Sequence, residues 1–490
     1  MPIFPVRTAL LAVVLFAASG ASQAQTLSLE DCRISAGPGH PGIKARCGTM
    51  LRPENPADPD SGEIEVRVAV VAALNLSPET DAVVPIAGGP GQGSIEFYSM
   101  VSGAFEKLRR NRDILLVDQR GTGESSRLDC VIDDDAILFE GQYSLEDTVG
   151  FIDECLEELP HDPRYFTTSV AVTDLEAARA ALGYASLNLY GVSYGSRVAQ
   201  HFARRYPEST RTVIIDGVVP PQISLGPEIA TESQRAVDSI LARCAANSVC
   251  NERFPDIEVT FARVVAELRE SSVQVLVPHP NTGHIEEMSF GAGQLAGAVR
   301  LLAYNPGTIA LLPLMIHEAG EGNFAPLASQ FMLTAVTMSD ALALGMHNAI
   351  MCTEDMPFLD QASINHEAIA SSYMGSFQLE TLGAICASWP AGPIDPEFKV
   401  PLATDIPFLL LSGDADPITP PRYAEMAAVD LTNAAHLIGK HQGHGQLVVG
   451  CMDRLVAGFV DSADPASLDA TCMERSFVMP FFVGFSGPSP

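Results

Sequence analysis

Leu187-Asn-Leu-Tyr-Gly-Val-Ser-Tyr-Gly-Ser196 is an apolar β-type run that breaks into Gly191-Val-Ser193-Tyr-Gly195 and continues at once into the helical pattern Arg197 to Tyr206. A strand that reaches a helix through Gly-x-Ser-x-Gly lifts its serine onto a strained turn. Glycines are needed on both sides because the strand and helix backbones pass too closely for a side chain. Such an elbow makes Ser193 a candidate nucleophile.

The segments around it share one grammar: an apolar run, a Gly-rich or acidic turn, then a helical pattern. The runs are Ala82-Val-Val-Pro-Ile86, Ile114-Leu-Leu-Val117, Leu187 to Tyr190, Thr212-Val-Ile-Ile215, Pro407-Phe-Leu-Leu-Leu411 and Ala434-Ala-His-Leu-Ile438. That alternation predicts an α/β protein with a mainly parallel sheet and crossover helices. With the elbow, it predicts the α/β-hydrolase fold. Between Gly217 and Pro407 the chain is far longer than a crossover connection and carries amphipathic patterns such as Gln234 to Ala245 and Ile257 to Ser271. It is expected to form an inserted helical cap over the C-terminal ends of the strands, where open α/β sheets place their sites. The expected organisation is a signal peptide at 1–24, hydrolase core at 25–217, helical cap domain at 218–400, and the rest of the core with a C-terminal segment at 401–490.

A serine hydroxyl needs a neutral imidazole as base, held in one tautomer by a carboxylate. In this fold the chain order is Ser, acid, His. After Phe408-Leu-Leu-Leu-Ser412 comes Gly413-Asp414-Ala-Asp416-Pro-Ile-Thr-Pro420. Asp416 is preferred as the acid because the following proline can fix the turn that aims it, and Asp414 is assigned to holding the loop. Of the two histidines after the last run, His444 lies between glycines in Gln442-Gly-His-Gly445 and is preferred to His441. Two donors must face the developing oxyanion. The backbone N–H of Tyr194 is one, and the loop Ala87-Gly88-Gly89-Pro90-Gly91-Gln92-Gly93-Ser94 supplies the other, from Gly89 or its neighbour Gly88. This loop lacks the Gly-Lys-Ser/Thr ending of a phosphate cradle.

Composition bounds the remaining possibilities. Arg7 precedes the apolar run Thr8 to Ala18 and the small residues Ser19 to Ala24, the order of a secretory signal peptide, with the mature chain starting near Gln25. The apolar run is too short for a membrane span, so a periplasmic or extracellular protein is expected. Ten cysteines then favour disulfides over a metal site. Pairing neighbours gives Cys32–Cys47, Cys130–Cys155, Cys244–Cys250, Cys352–Cys386 and Cys451–Cys472. With no CxxC pair or HExxH helix, neither a metal nor another cofactor is expected. The net charge of −31 repels nucleic acid and anionic membranes, while 47% hydrophobic residues allow a large core, so the acidity is a surface property.

Gly88-Gly-Pro-Gly91, Asp118-Gln-Arg-Gly-Thr-Gly-Glu-Ser125, Gly191-Val-Ser-Tyr-Gly195, Asp216-Gly-Val-Val219 and Gly413 to Pro420 resemble, in order, the motifs of the proline iminopeptidase and tripeptidyl aminopeptidase family. The resemblance runs from about residue 60 to 475. It implies a serine aminopeptidase that acts on peptide substrates with a free N-terminus, beneath a cap that limits access. The segment with Cys451 and Cys472 is similar to the tripeptidyl branch. Many proline iminopeptidases have His before Gly-Gly-Pro-Gly where this chain has Ala87, a departure from the single-residue branch. Arg120 is expected to hold loops above the sheet. A cationic α-amino group calls for carboxylates in a partly desolvated pocket. Glu354 and Asp355, after Ala349-Ile-Met-Cys352 in a stretch similar to the family's cap, are the substrate-binding candidates, with Glu354 preferred. An esterase or lipase with the same triad is the alternative, since fold does not fix substrate. A non-catalytic binding module is a third reading, disfavoured because it gives no reason to keep all three triad residues.

Overall fold

The computed structural model describes residues 27–488 apart from 38, 59, 131–144 and 476–477, so the expected signal peptide lies outside the described residues. All six apolar runs form strands: β4 (Ala82–Ile86), β5 (Ile114–Val117), β6 (Leu187–Val192), β7 (Thr210–Asp216), β10 (Phe408–Gly413) and β11 (Ala434–Gly439). Their pairings are all parallel. Strands β4, β5 and β10 are buried along their whole length, which is why they carry unbroken apolar runs instead of alternation.

Three strands escaped the search for apolar runs. They are β1 (Glu30–Ile34), β2 (Ile43–Pro53) and β3 (Glu63–Val71), and they extend the sheet as an antiparallel edge. Along β3, buried Ile64, Val66 and Val68 alternate with Glu63, Glu65 and Arg67, the period-two pattern of a strand with one wet face. The nine strands take the order β1-β2-β3-β5-β4-β6-β7-β10-β11. Successive residues of one strand feed opposite sides of the sheet. Val84, Val213 and Leu410 join a cluster with Val172, Val198 and Phe202 from the helices Thr168–Leu182 and Tyr194–Arg205. Val83, Ile214 and Leu409 join one with Tyr98, Leu455 and Phe459 from the helices Ser94–Val101 and Met452–Ser462.

Between β7 and β10 the chain builds a third apolar cluster from its own residues, among them Val237, Phe261, Leu295 and Leu327. This stretch is mostly helical but also holds a hairpin, β8 (Val273–Pro278) with β9 (Ile285–Phe290). Phe481 of the C-terminal segment packs into the same cluster. Conversely, Met346, Ala349 and Ile350 of the helix Leu344–Ile350 pack into the cluster of the sheet, so the insertion is rooted in the core.

The cysteines pair as neighbours, Cys32–Cys47, Cys130–Cys155, Cys244–Cys250, Cys352–Cys386 and Cys451–Cys472. Five disulfides point to an oxidising environment. Among the described residues no helix is long and apolar enough to cross a membrane.

Candidate active site

Strand β6 ends at Val192, and Ser193 follows with φ 56° and ψ −126°, a backbone conformation that costs a non-glycine residue on the order of 1–3 kcal/mol. The flanking glycines are obligatory here. A Cβ on Gly191 would overlap the backbone of Gly195, and one on Gly195 would overlap the carbonyls of Ile86 and Ala87. The Ser193 amide donates to the Asp216 carbonyl (2.8 Å), which ties the elbow to the end of β7. Helix Tyr194–Arg205 starts at the next residue, and the first amides of a helix have no intrahelical acceptor. The glycine loop lies against the nucleophile through Gly88, where a Cβ would stand 3.0 Å from Ser193 Cβ and 3.6 Å from its Oγ. Gly89, at φ 105°, is the next residue along. The loop is clamped from the insertion, where the Ala343 amide donates to the Gly91 carbonyl (3.0 Å).

Asp416 and His444 meet at the ends of β10 and β11. His444 Nδ1 lies 2.8 Å from Asp416 Oδ2, and the Asp416 side chain also accepts from the amides of Ile418 (2.8 Å) and Thr419 (2.9 Å) and from the Thr419 hydroxyl (2.7 Å). Burial alone would raise the Asp416 pKa, but the adjacent imidazole and these donors bring it below the usual carboxylate value. For His444, burial disfavours the imidazolium, and the Asp416 carboxylate more than offsets this, leaving the histidine above 6.5. The imidazole rests beside Gly217, where a Cβ would come 2.8 Å from His444 Cε1. Gly217 directly follows Asp216, the residue that binds the Ser193 amide, so His444 and Ser193 flank one short turn. A hydrogen bond between Ser193 Oγ and the imidazole is not formed among the described residues. Contacts of this kind tighten when substrate binds. Asp414 holds the loop, accepting from the His441 amide (2.6 Å).

The α/β hydrolase fold model matches residues 81–243, which carry the elbow, and the model of the TAP-like protein family matches residues 371–472, which carry Asp416 and His444. The chain is a serine hydrolase of the α/β-hydrolase fold, and its C-terminal part is similar to TAP-like proteins. It is 27% identical over 456 residues to the serine protease Hip1 of Mycobacterium tuberculosis, an alignment that covers 84% of this chain and 82% of that one. It is 26% identical over 215 residues to the tripeptidyl aminopeptidase of Streptomyces lividans, covering 39% of each chain. It is 30% identical over 195 residues to the putative hydrolase YuaR of Escherichia coli, covering 38% of each.

In this hydrolase the acids Glu354 and Asp355 lie in a π-helical turn, Met351–Asp355, pinned by the Cys352–Cys386 disulfide. Such turns are frequent at functional sites. Both acids are fully buried, and they differ in what they meet. Asp355 takes both terminal nitrogens of Arg197 (2.9 Å each), the Leu225 amide (2.9 Å) and Lys399 Nζ (3.3 Å). The charge of Asp355, the second of the two expected substrate-binding acids, is thus matched by cations of the protein itself. Glu354 accepts from the Thr168 amide (2.7 Å) and hydroxyl (2.9 Å) and forms no ion pair among the described residues, so burial lifts its pKa to about 7 despite Arg197 nearby. Thr168 also meets the Tyr194 hydroxyl (2.6 Å), which connects Glu354 to the residue after the nucleophile. Arg120 is buried in an ion pair with Asp174 and donates to the carbonyls of Glu54 and Tyr165, holding loops together.

Three contributors were not assigned from sequence. Thr419 donates to Asp416 and lies 3.1 Å from His444 Nδ1. Asp216 accepts from the Gln446 and Leu447 amides and from the Tyr190 hydroxyl, fixing the loop that carries His444. Tyr304, from the insertion, accepts from the His444 amide (2.8 Å) and packs its ring edge-on against the imidazole at 5.0 Å. The Asp216-Gly-Val-Val219 motif was the available signal for Asp216. Tyr304 lies 140 residues from His444 in the chain, so no local pattern marks it.

Proposed function

We propose that this hydrolase is an exported serine aminopeptidase that releases residues or short peptides from free N-termini through an acyl-enzyme. The observation that carries the hydrolytic part is the Asp416–His444 pair beside a serine held at positive φ on a strand-to-helix elbow. Ser193 Oγ attacks the scissile carbonyl carbon while its proton passes to His444 Nε2. The imidazolium, paired with Asp416, then protonates the departing amine as the C–N bond breaks. The oxyanion is received by the Tyr194 amide and by the glycine loop at Gly89 or Gly88. Water, deprotonated by the same histidine, hydrolyses the ester and frees Ser193. The residues between β7 and β10 act as a cap over this site, with Tyr304 and Ala343 among their points of contact with the catalytic loops.

A peptidase is favoured by the likeness to Hip1 and the tripeptidyl aminopeptidase, whose names state those activities. The aminopeptidase reading adds Glu354, a buried carboxylate that forms no ion pair among the described residues, beside the helix Tyr194–Arg205. A substrate ammonium would supply the missing charge. The test compares tripeptidyl p-nitroanilides with free and N-acetylated termini, and p-nitrophenyl acyl esters, on the native enzyme and Glu354→Gln. The free-amine substrates should lose about 2 kcal/mol of transition-state binding in the variant, with blocked substrates nearly unchanged. Equal losses on both classes would remove Glu354 from the amine site. Preference for esters and for blocked peptides in the native enzyme would make it an esterase.

A further inference from the structure

A cavity of about 720 Å³ lies between the insertion and the helix Leu145–Glu158, walled by apolar side chains that include Phe151, Phe331, Leu344 and Met374. Two of its wall residues connect it to the candidate site. Leu344 follows Ala343, whose amide holds Gly91 of the oxyanion loop. Arg300, another wall residue, reaches the Tyr304 hydroxyl with Nη2 (3.3 Å), and Tyr304 in turn packs on His444.

Arg300 is unlike the deeply buried arginines of this protein. Arg112, Arg120 and Arg197 are each matched by an aspartate. Arg300 is half-buried and forms no ion pair among the described residues, and its Nε, like that of Arg197, is buried without a hydrogen-bond partner. In a chain with 60 acidic and 29 basic residues, an arginine left without a carboxylate in an apolar chamber is available for an anion from outside. The other two charged wall residues, Arg269 and Glu380, are exposed and mark the solvent side of the cavity. Arg269 is occupied by the carbonyl of Ser372.

We propose that this cavity is a subsite for an apolar substrate portion that carries a carboxylate, with Arg300 as the cation that receives it. Its catalytic meaning rests on the peptidase reading, while its affinity for a carboxylate does not. Two sources share this chemistry, the C-terminal carboxylate of a short peptide and an acidic side chain. A guanidinium left with an open N–H edge can take a carboxylate, and the walls can desolvate the pair, which strengthens the attraction.

The test is equilibrium binding by titration calorimetry, which needs no turnover, using 4-phenylbutyrate and its amide as probes on the full chain. The carboxylate should bind at least about tenfold more tightly than the amide. Arg300→Gln should abolish that preference, while Arg300→Lys, which keeps the charge, should retain part of it. Displacement of phenylbutyrate by tripeptides distinguishes the two sources. A C-terminal source predicts that tripeptide acids compete and their C-terminal amides do not. A side-chain source predicts that a glutamate-containing tripeptide amide competes and its glutamine counterpart does not. Equal binding of phenylbutyrate and its amide to the native protein overturns the proposal, as does a carboxylate preference that survives in a folded Arg300→Gln. If tripeptidyl amides are not cleaved yet the preference is present and Arg300-dependent, the peptidase reading fails and the carboxylate site stands.

Discussion

Two of the buried acidic centres of this molecule invite comparison, Asp416 at the end of β10 and the Glu354–Asp355 turn of the insertion. All three carboxylates are fully buried, yet Asp416 and Asp355 are held below the usual carboxylate range while Glu354 is lifted to about 7. Burial raises all three, so burial does not sort them. The sorting comes from cations and donors: His444 and three further hydrogen bonds at Asp416, Arg197 and Lys399 at Asp355, and only the amide and hydroxyl of Thr168 in direct contact with Glu354. The first centre pairs its carboxylate with an imidazole, and Asp355 is paired with two cations of the fold. Glu354 is left able to respond to a charge that arrives.

The largest expected effect is at the first centre. Ser193→Ala and His444→Ala should each lower kcat by roughly 10⁴-fold or more without altering the unfolding midpoint, and Asp416→Asn should cost somewhat less. The acid limb of kcat/KM should lie above pH 6.5, because the base works only when neutral and Asp416 raises its pKa. Turnover by folded Ser193→Ala would refute the mechanism. An acid limb well below 6.5 would instead separate Asp416 from His444.

The second effect belongs to Asp355 and should appear in stability. Arg197 and Asp355 are both shielded from solvent, and removing one partner of such a pair leaves a buried charge uncompensated. Asp355→Asn should lower the unfolding free energy by about 3–5 kcal/mol in urea titrations. If the folded fraction of the variant loses activity selectively on free-amine substrates, Asp355 binds the amine after all, and the contrast with Glu354 disappears.

The two centres also differ in how far sequence reveals them. Each triad residue sits in a local turn with its own grammar: glycines on both sides of Ser193, a proline after Asp416, glycines on both sides of His444. Steric demands within a few residues write these patterns, and one sequence suffices to read them. Tyr304, Thr168 and Arg300 act on partners brought near by the fold, and their own neighbourhoods carry no mark of it. The sheet divides in the same way. Strands buried on both faces appear as apolar runs, whereas β3, wet on one face, shows only alternation that charges such as Glu65 and Arg67 conceal from a search for runs. The roles of Glu354 and Asp355 were inseparable in the sequence, because the difference rests on Arg197, which reaches Asp355 from the nucleophile helix more than 150 residues away.

The smallest effect separates those two acids most cleanly. A carboxyl whose folded pKa is raised keeps its proton in the native state at a pH where the unfolded chain has released it. The native state then binds more protons between about 4.5 and about 7, and stability falls as pH rises through that window. Glu354→Gln removes this dependence and retains a side chain able to accept from the Thr168 amide. The native protein should therefore lose more stability than the variant between pH 4.5 and 7.5, by no more than about 3 kcal/mol, since each pKa unit corresponds to about 1.4 kcal/mol. Other titrating groups cancel when urea unfolding of the two proteins is compared at each pH. Saturating a free-amine ligand that docks on Glu354 should ionise it, so binding near pH 6 should release a proton to buffer in the native protein and none in Glu354→Gln. Identical pH dependence in both proteins would mean that Glu354 is ionised in the fold with an unseen partner, and the distinction between it and Asp355 would not hold.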